Sequence, residues 1–194
     1  MKEYEYGRIR TLAEKLDNAG IERTVIERVM QGGETIRRTT KPEKKADWMR
    51  DAMRRMDWLL DPQTRRAVRE SCACCLGGKR LKLSKEIAQK HHSLEDRIEA
   101  AARTPFVFGN GVTREDDGKL VVRFSAEGQS QYGCVCLTKA QAPLPITYCY
   151  CCGGHVKHHL QIALGRKLSC KARSSALSSG GKKNCVFEYT IIDE

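Results

Sequence analysis

Two short cysteine clusters constrain this chain of 194 residues more than any other feature. The first occupies residues 72–75 and the second residues 149–152, and both read Cys-x-Cys-Cys with two glycines close behind. A Cys-Val-Cys triplet at residues 134–136 lies between them. Thiolates are soft ligands, and two C-x2-C pairs close a tetrahedral zinc site or hold an iron–sulfur cluster. The pattern therefore predicts a thiolate-rich metal site or thiol site.

The candidate metal ligands are the clustered cysteines and the histidine that follows the second cluster, namely Cys72, Cys74, Cys75, Cys134, Cys136, Cys149, Cys151, Cys152 and His155. The outer cysteines of the two C-x2-C pairs make the simplest four-thiolate set for zinc. An iron–sulfur cluster is the alternative cofactor. A third version replaces one thiolate with the imidazole of His155. More thiols are present than one site needs, so the pattern leaves the choice among them open.

The second cluster also allows an enzymatic hypothesis, in which Cys151 or Cys152 is a nucleophile and His155 is its base. A nucleophilic cysteine needs a lowered pKa, which a position at a helix N-terminus supplies. The glycines that precede His155 are read as the start of a helix, so both thiols lie just ahead of it. A third hypothesis is a sensor or binding module for a small molecule. Metal binding with zinc is the leading hypothesis of the three.

Composition and charge limit the classes of binding partner and the cellular locations that we expect for this chain. The formal net charge is +11, but the excess of lysine and arginine is spread over both halves of the chain, which is typical of a diffuse basic surface. Residues 83–102 resemble a helix-turn-helix without its usual turn residues, so nucleic acid is not an expected partner. The N-terminus lacks the apolar core of a signal peptide, and no apolar run is long enough to span a membrane. These features predict a cytoplasmic protein, where disulfides are rare.

Hydrophobic periodicity predicts an α+β fold. Apolar residues recur at helical spacing through the first seventy residues, and Asp61-Pro62 is a typical N-cap and first turn for the helix that leads to Cys72. After Pro105 the pattern changes to short strands at residues 106–108, 120–124 and 133–137, a helix from His155, and a closing hairpin. We therefore expect a helical region, residues 1–104, packed on a small antiparallel sheet with one crossing helix, residues 105–194.

The C-terminal layout is a glycine-led helix followed by a hairpin that ends with residues 185–189, Cys-Val-Phe-Glu-Tyr. Over residues 118–194 this layout resembles the small-molecule-binding domain named after 4-vinyl reductase, and also cysteine-rich bacterial families of uncharacterised function. The resemblance implies a compact ligand-binding fold. Relatives of the vinyl-reductase type carry a glutamate and a cysteine as zinc ligands before a final cysteine. Here Ser174 and Leu177 stand at those two positions, so that only Cys185 matches.

Overall fold

The computed structural model describes residues 3–192, and within them the α+β fold expected from the sequence is confirmed. The helices are α1 (Gly7–Asn18), α2 (Arg23–Val29), α3 (Pro42–Leu59), α4 (Pro62–Ser71), α5 (Gly78–Lys90), α6 (Leu94–Ala102), α7 (Pro105–Phe108) and α8 (Tyr150–Leu164). The strands are β1 (Gly111–Arg114), β2 (Leu120–Arg123), β3 (Leu168–Ser174) and β4 (Val186–Ile191). They form one antiparallel sheet in the order β1-β2-β4-β3. Short 3-10 helices occupy Gly33–Thr35 and Ile146–Cys149.

The N-terminal helices bury the apolar stripes that their spacing predicts. Helix α1 buries Ile9, Leu12, Ala13 and Leu16, and α3 buries its tryptophan and methionine stripe. Helix α4 begins as predicted at Asp61, whose side chain accepts hydrogen bonds from the backbone N–H groups of Gln63 and Thr64. Such a cap satisfies donors that would otherwise be unpaired at the helix start. The cap thus fixes the beginning of the helix that delivers Cys72 at its C-terminal end.

Helix α8 is the centre of the fold, because it packs against the sheet on one side and against α4 and α5 on the other. Two glycines of α8 allow the helix to pack this closely against its neighbours. A Cβ atom at Gly153 would lie 2.7 Å from the Sγ atom of Cys170 in β3, and one at Gly154 would lie 2.8 Å from the Cα atom of Glu70 in α4. The glycines behind the second cysteine cluster therefore allow α8 to approach the backbone of one neighbour and the side chains of the other.

The closing hairpin is confirmed as β3 and β4, and β4 also pairs with β2. Phe187 and Tyr189 of β4 are fully buried beneath α8. The hydroxyl of Tyr189 donates a hydrogen bond to the carbonyl oxygen of Gly153 at 3.0 Å, which ties the sheet to the first turns of α8. This contact holds the start of α8, and with it the second cysteine cluster, in a defined place.

Two predicted strands are wrong. Residues Pro105–Phe108 form the short helix α7, because a proline at the first helical position is already set for helix geometry, and the partner of β2 is Gly111–Arg114 instead. Residues 133–137 are an irregular loop whose backbone is satisfied by side chains: Arg8 donates to the carbonyl oxygen of Cys136, and the Cys136 N–H bonds to Cys134 Sγ at 3.4 Å. The alternation of buried and exposed side chains that a strand would show is nevertheless present, since Val135 is 83% exposed between two half-buried cysteines.

Ser93 caps α6 by accepting a hydrogen bond from the Asp96 N–H at 3.0 Å. Helix α5 extends back to Gly78 and includes Ser84. One helix start differs from expectation. Helix α8 was expected to start at the glycines before His155, but it begins at Tyr150, because the preceding 3-10 helix leads directly into it.

Candidate functional site

A cavity of about 370 Å³ lies where the three cysteine-bearing segments meet. Its thiol wall comprises Cys72, Cys74, Cys136 and Cys151. The rest of its lining comes from α1, α3, α4 and the residues beside the thiols, namely Tyr6, Gly7, Arg8, Thr11, Met49, Arg69, Ala73 and Tyr148. We call this space the thiol cavity. It brings together residues that are far apart in the chain, including two cysteines from the first cluster, one from the second and one from the central triplet.

The first cluster forms a loop that two histidines of α8 hold in place. The Nδ1 atom of His155 lies 2.8 Å from the carbonyl oxygen of Cys74, and the Nε2 atom of His159 lies 3.1 Å from that of Cys75. The His159 Nδ1 atom lies 3.0 Å from the hydroxyl of Ser84. Since the two histidines are four residues apart on one helix, they reach consecutive carbonyls of the loop. They act here as anchors of the backbone that carries the first thiols.

The two histidines also have lowered pKa values. Burial lowers the pKa of His159 to about 4, and hydrogen bonding to the Cys75 carbonyl only partly offsets this effect. Burial likewise lowers the pKa of His155, whose ring bonds to the carbonyl oxygens of Cys74 and Val107. Both rings are therefore neutral near pH 7. The structure thus places His155, a candidate ligand and base, with its ring bonded to backbone carbonyls beside the thiol cavity.

The central triplet connects the other thiols. The pKa of Cys136 is lowered because the thiols of Cys134 and Cys152 hydrogen-bond to it. The positive charges of Arg8 and Arg69 act in the same direction. The pKa of Cys134 is raised by the same contact with Cys136 and by burial. The triplet therefore supplies one sulfur, Cys136, that favours the thiolate form inside the thiol cavity.

Cys151 and Cys152 lie in the first turn of α8, inside the helix and not ahead of it. The pKa of Cys151 is lowered to about 6, chiefly by hydrogen bonding with Cys152 and then by the charge of Arg69. The pKa of Cys152 is raised by its hydrogen bonds with Cys136 and Cys151. Cys151 is thus the second sulfur of the thiol cavity that favours a thiolate.

Arg69 is the main electrostatic feature of the thiol cavity. The residue is only 4% exposed, and its Nη2 atom donates to the carbonyl oxygen of Tyr148 at 2.9 Å. Its Nε atom has no hydrogen-bond partner, and no carboxylate within residues 3–192 forms an ion pair with it. Burial lowers the pKa of Arg69, but the negative charges of Cys151 and Cys72 more than offset this and raise it. Burial raises the pKa of Cys72 whereas that of Cys151 is lowered, so the thiolate of Cys151 is the main counter-charge of this buried guanidinium.

The remaining candidate cysteines lie outside the lining of the thiol cavity. Cys75 is exposed, and its φ angle of 61° places it in the left-handed region. Cys149 is buried, and although its thiol bonds to Ser175, burial raises its pKa to about 12. The outer cysteines of the two C-x2-C pairs therefore do not share one site, because Cys72 lines the thiol cavity whereas the thiol of Cys149 bonds to Ser175. Cys185, the match to the vinyl-reductase pattern, accepts a hydrogen bond from the Ala176 N–H at 3.3 Å.

Sequence reasoning missed both arginines and Tyr148. Arg69 precedes Cys72 by three residues, so the two share one face of α4, and that spacing was the available signal. Arg8 lies in α1, 128 residues from the Cys136 carbonyl to which it donates, and no local pattern points to that contact. Met49, in the apolar stripe of α3, is buried in the core and also lines the thiol cavity.

No three His, Cys, Asp or Glu side chains within residues 3–192 are arranged as a group that could hold a metal ion in their present positions. The donor set is nevertheless the kind that zinc and iron–sulfur clusters use, because it consists of thiols beside positive charge. The pKa values of Cys136 and Cys151 are lowered, whereas burial raises the pKa of Cys72 and raises that of Cys74 to about 11. The lining residues are thus of the chemical type that binds a soft metal, although their side chains do not surround a common point as a bound metal requires.

The fold and the thiol cavity define a cysteine-rich α+β protein with a central helix. Residues 9–193 match the profile of a family of unknown function, DUF6144, and the chain belongs to that family. No curated protein and no solved structure matches the chain. Of the helices in the described part of the chain, none has the length and apolar character needed to cross a membrane.

Proposed function

We propose that this protein binds a metal ion through thiolates of the thiol cavity, with zinc as the occupant. The observation that carries the proposal is the buried guanidinium of Arg69, which faces Cys72 and Cys151 and forms no ion pair with a carboxylate in the described part of the chain. A buried positive charge needs an opposite charge, and the lowered pKa of Cys151 favours a thiolate beside the arginine. A metal ion removes the protons of the other ligand thiols as well, so a thiolate-bound metal centre suits a position beside this arginine.

The ligands come from three separate segments. Cys72 and Cys74 belong to the loop after α4, Cys136 to the central triplet and Cys151 to the first turn of α8. A metal bound by them cross-links the helical region to the loop that lies beside the sheet. Because residues 133–137 have no strand partner, the metal contributes directly to the stability of that loop. Thiolate coordination also suits the reducing cytosol, which we propose as the location.

Iron–sulfur binding is the alternative cofactor for the same thiolates, and one measurement separates the two. Elemental analysis and a visible absorption spectrum are recorded on protein purified without oxygen. About one equivalent of colourless zinc supports the proposal, whereas brown, iron-rich protein assigns the cluster. Metal-free protein with every thiol reactive contradicts both.

Matched serine variants locate the site. We expect Cys72→Ser and Cys151→Ser to lose bound metal, because each removes a ligand from the lining of the thiol cavity. Cys185→Ser is the control, since that thiol is also half-buried but bonds to the Ala176 N–H outside the thiol cavity. Equal metal content in all three variants contradicts the assignment of the ligands.

A thiol-dependent enzyme is the second candidate, favoured by the lowered pKa of Cys151, about 6, at the start of α8. In this candidate Cys151 is the nucleophile and Cys152 is its hydrogen-bond partner. The ring of His155 hydrogen-bonds to backbone carbonyls, so its part is to hold the first cluster near the nucleophile. The test is the rate of alkylation of each cysteine at pH 7, in which Cys151 has to exceed the other nine. Uniformly slow labelling rejects this candidate.

A further inference from the structure

The thiol cavity has more room and more positive charge than a bound metal alone requires. Its volume of about 370 Å³ equals roughly a dozen water molecules in the liquid, far more than one metal ion occupies. This size falls at the lower end of the range for small-molecule sites. Much of its lining bears no metal-binding group, since Tyr6, Thr11, Met49 and Tyr148 present aromatic, hydroxyl and thioether surfaces. The thiol cavity therefore has room for a small molecule beside a metal ion.

Arg69 indicates the charge of that occupant. Its side chain is buried to more than nine-tenths, lines the thiol cavity, and forms no ion pair with a carboxylate within residues 3–192. A buried positive charge is costly without an opposite charge, so a negatively charged ligand in the cavity is stabilised beside it. Arg8 brings a second guanidinium to the same lining from α1, with one Nη atom donating to the Cys136 carbonyl. Two guanidinium forks in one small space are suited to an oxyanion.

The charges of the proposed metal centre are consistent with an anion. Zn²⁺ with three thiolates carries one negative charge, so the two arginines leave one positive charge unbalanced. Three protein ligands with one open position are also typical of zinc sites that bind a ligand, whereas closed four-thiolate sites are structural. This charge argument rests on the proposed function, but the presence of two arginines in the lining of one cavity does not.

We propose that the thiol cavity binds a small organic anion, whose carboxylate or phosphate group lies between Arg8 and Arg69 at the open side of a metal held by three thiolates. Its apolar part packs against Met49 and Tyr6. One of the four lining cysteines then remains free of metal and faces the ligand.

The free cysteine provides the test. Protein as purified is treated with iodoacetate, an anion, or with iodoacetamide, its neutral counterpart, and the rate at each cysteine is read by peptide mass spectrometry. The reference is the same cysteine in urea-unfolded protein. A pair of cationic side chains raises the local concentration of an anion, so we expect the ratio of the two rates at a lining cysteine to be about tenfold above its unfolded value.

Two variants connect this ratio to the arginines. Arg8→Met has to lower the ratio towards the unfolded value. The variant also frees the Cys136 carbonyl, but a shift of that loop changes the access of both reagents alike, whereas loss of the charge changes the ratio of their rates. Arg10→Met is the matched control, since it removes an equal charge two residues away, outside the lining, and has to leave the ratio high. Acetate and inorganic phosphate, compared at equal ionic strength, then compete for the site. Protection by acetate assigns a carboxylate ligand, and protection by phosphate alone assigns a phosphoryl group.

Three results overturn the proposal: a ratio equal to that of the unfolded chain, a ratio that Arg8→Met leaves unchanged, or complete protection of all four lining cysteines from both reagents. The last result means that every thiol binds metal and that no open position exists. Failure of the metal proposal is separate, because it appears as metal-free protein in the elemental analysis, and the alkylation ratio still reports on the anion site.

Discussion

Gly154 of α8 lies against the backbone of Glu70 in α4, so closely that a Cβ atom at position 154 would be 2.8 Å from the Glu70 Cα atom. Backbone atoms cannot rotate away as side-chain atoms do. The distance between these two helices is therefore set by the absence of a side chain. The same contact places the start of α8, with Cys151, beside the end of α4, with Cys72.

We expect Gly154→Ala to lower the free energy of unfolding by about 1–3 kcal/mol, the usual cost of overpacking. Gly7→Ala in α1 is the control, because a Cβ there meets no atom within 4 Å. Alanine is the better helix former, so the control should be neutral or more stable by up to about 1 kcal/mol. Urea unfolding followed by circular dichroism measures both variants. Equal stability of the two would show that α8 and α4 do not pack as closely as described.

The stability of the protein should fall as the pH drops from about 6.5 towards 4. His159 is fully buried and neutral, with a pKa lowered to about 4, while an unfolded histidine titrates near 6.5. Because the unfolded chain takes up the proton first, acid favours unfolding across that interval. His155, His158 and Arg80 face the ring and add to the effect.

His159→Gln tests this origin of the pH dependence. Glutamine does not titrate in this range, so the variant should show a flatter change in unfolding free energy between pH 6.5 and pH 4. His91→Gln is the control, since it removes a histidine that is not part of the anchor. If the unfolding free energy of both variants falls with pH as steeply as that of the unmodified protein, the acid sensitivity arises elsewhere in the chain.

Arg69 should control how tightly the metal is held. Arg69→Met leaves the thiolates without their buried counter-charge, and loss of such a supporting residue typically weakens metal binding about 10–100-fold. Arg66→Met is the matched control on the same helix, because its guanidinium lies 5.2 Å from the ring of Tyr150 and not in the thiol cavity. Competition with a coloured chelator gives the zinc affinity of each. Unchanged affinity in Arg69→Met would remove the main support for the proposed function.

His155 should act as an anchor of the first cysteine loop. We expect His155→Ala to release the Cys74 carbonyl and so to speed amide hydrogen exchange in residues 73–77, with little change elsewhere. His158→Ala is the control, because it removes the histidine of the same helix that does not bond to this loop. Loss of bound metal together with unchanged exchange would instead show that His155 is a ligand.

Local features were predicted well from the sequence. The apolar stripes of α1 and α3, the Asp61 cap and the β3–β4 hairpin depend on residues close together in the chain, and all are confirmed. The strand predicted at residues 106–108 failed, because a proline start outweighed the β preference of three apolar residues. The alternation of burial around Val135 was right although no strand forms and the chain bends at residues 135–136, since Arg8 and the Cys134 thiol both bond to the backbone of Cys136.

The sequence by itself determined that this protein is an α+β fold rich in thiols, because periodicity and cysteine spacing are local properties. Only the tertiary structure decided that Cys72, Cys74, Cys136 and Cys151 share one cavity while Cys149 turns to Ser175. It also brought Arg8 and Arg69 to those thiols. These groupings depend on how closely α8 approaches α4 and on where α1 packs, and such long-range contacts arise from the burial of the whole core and not from any one segment.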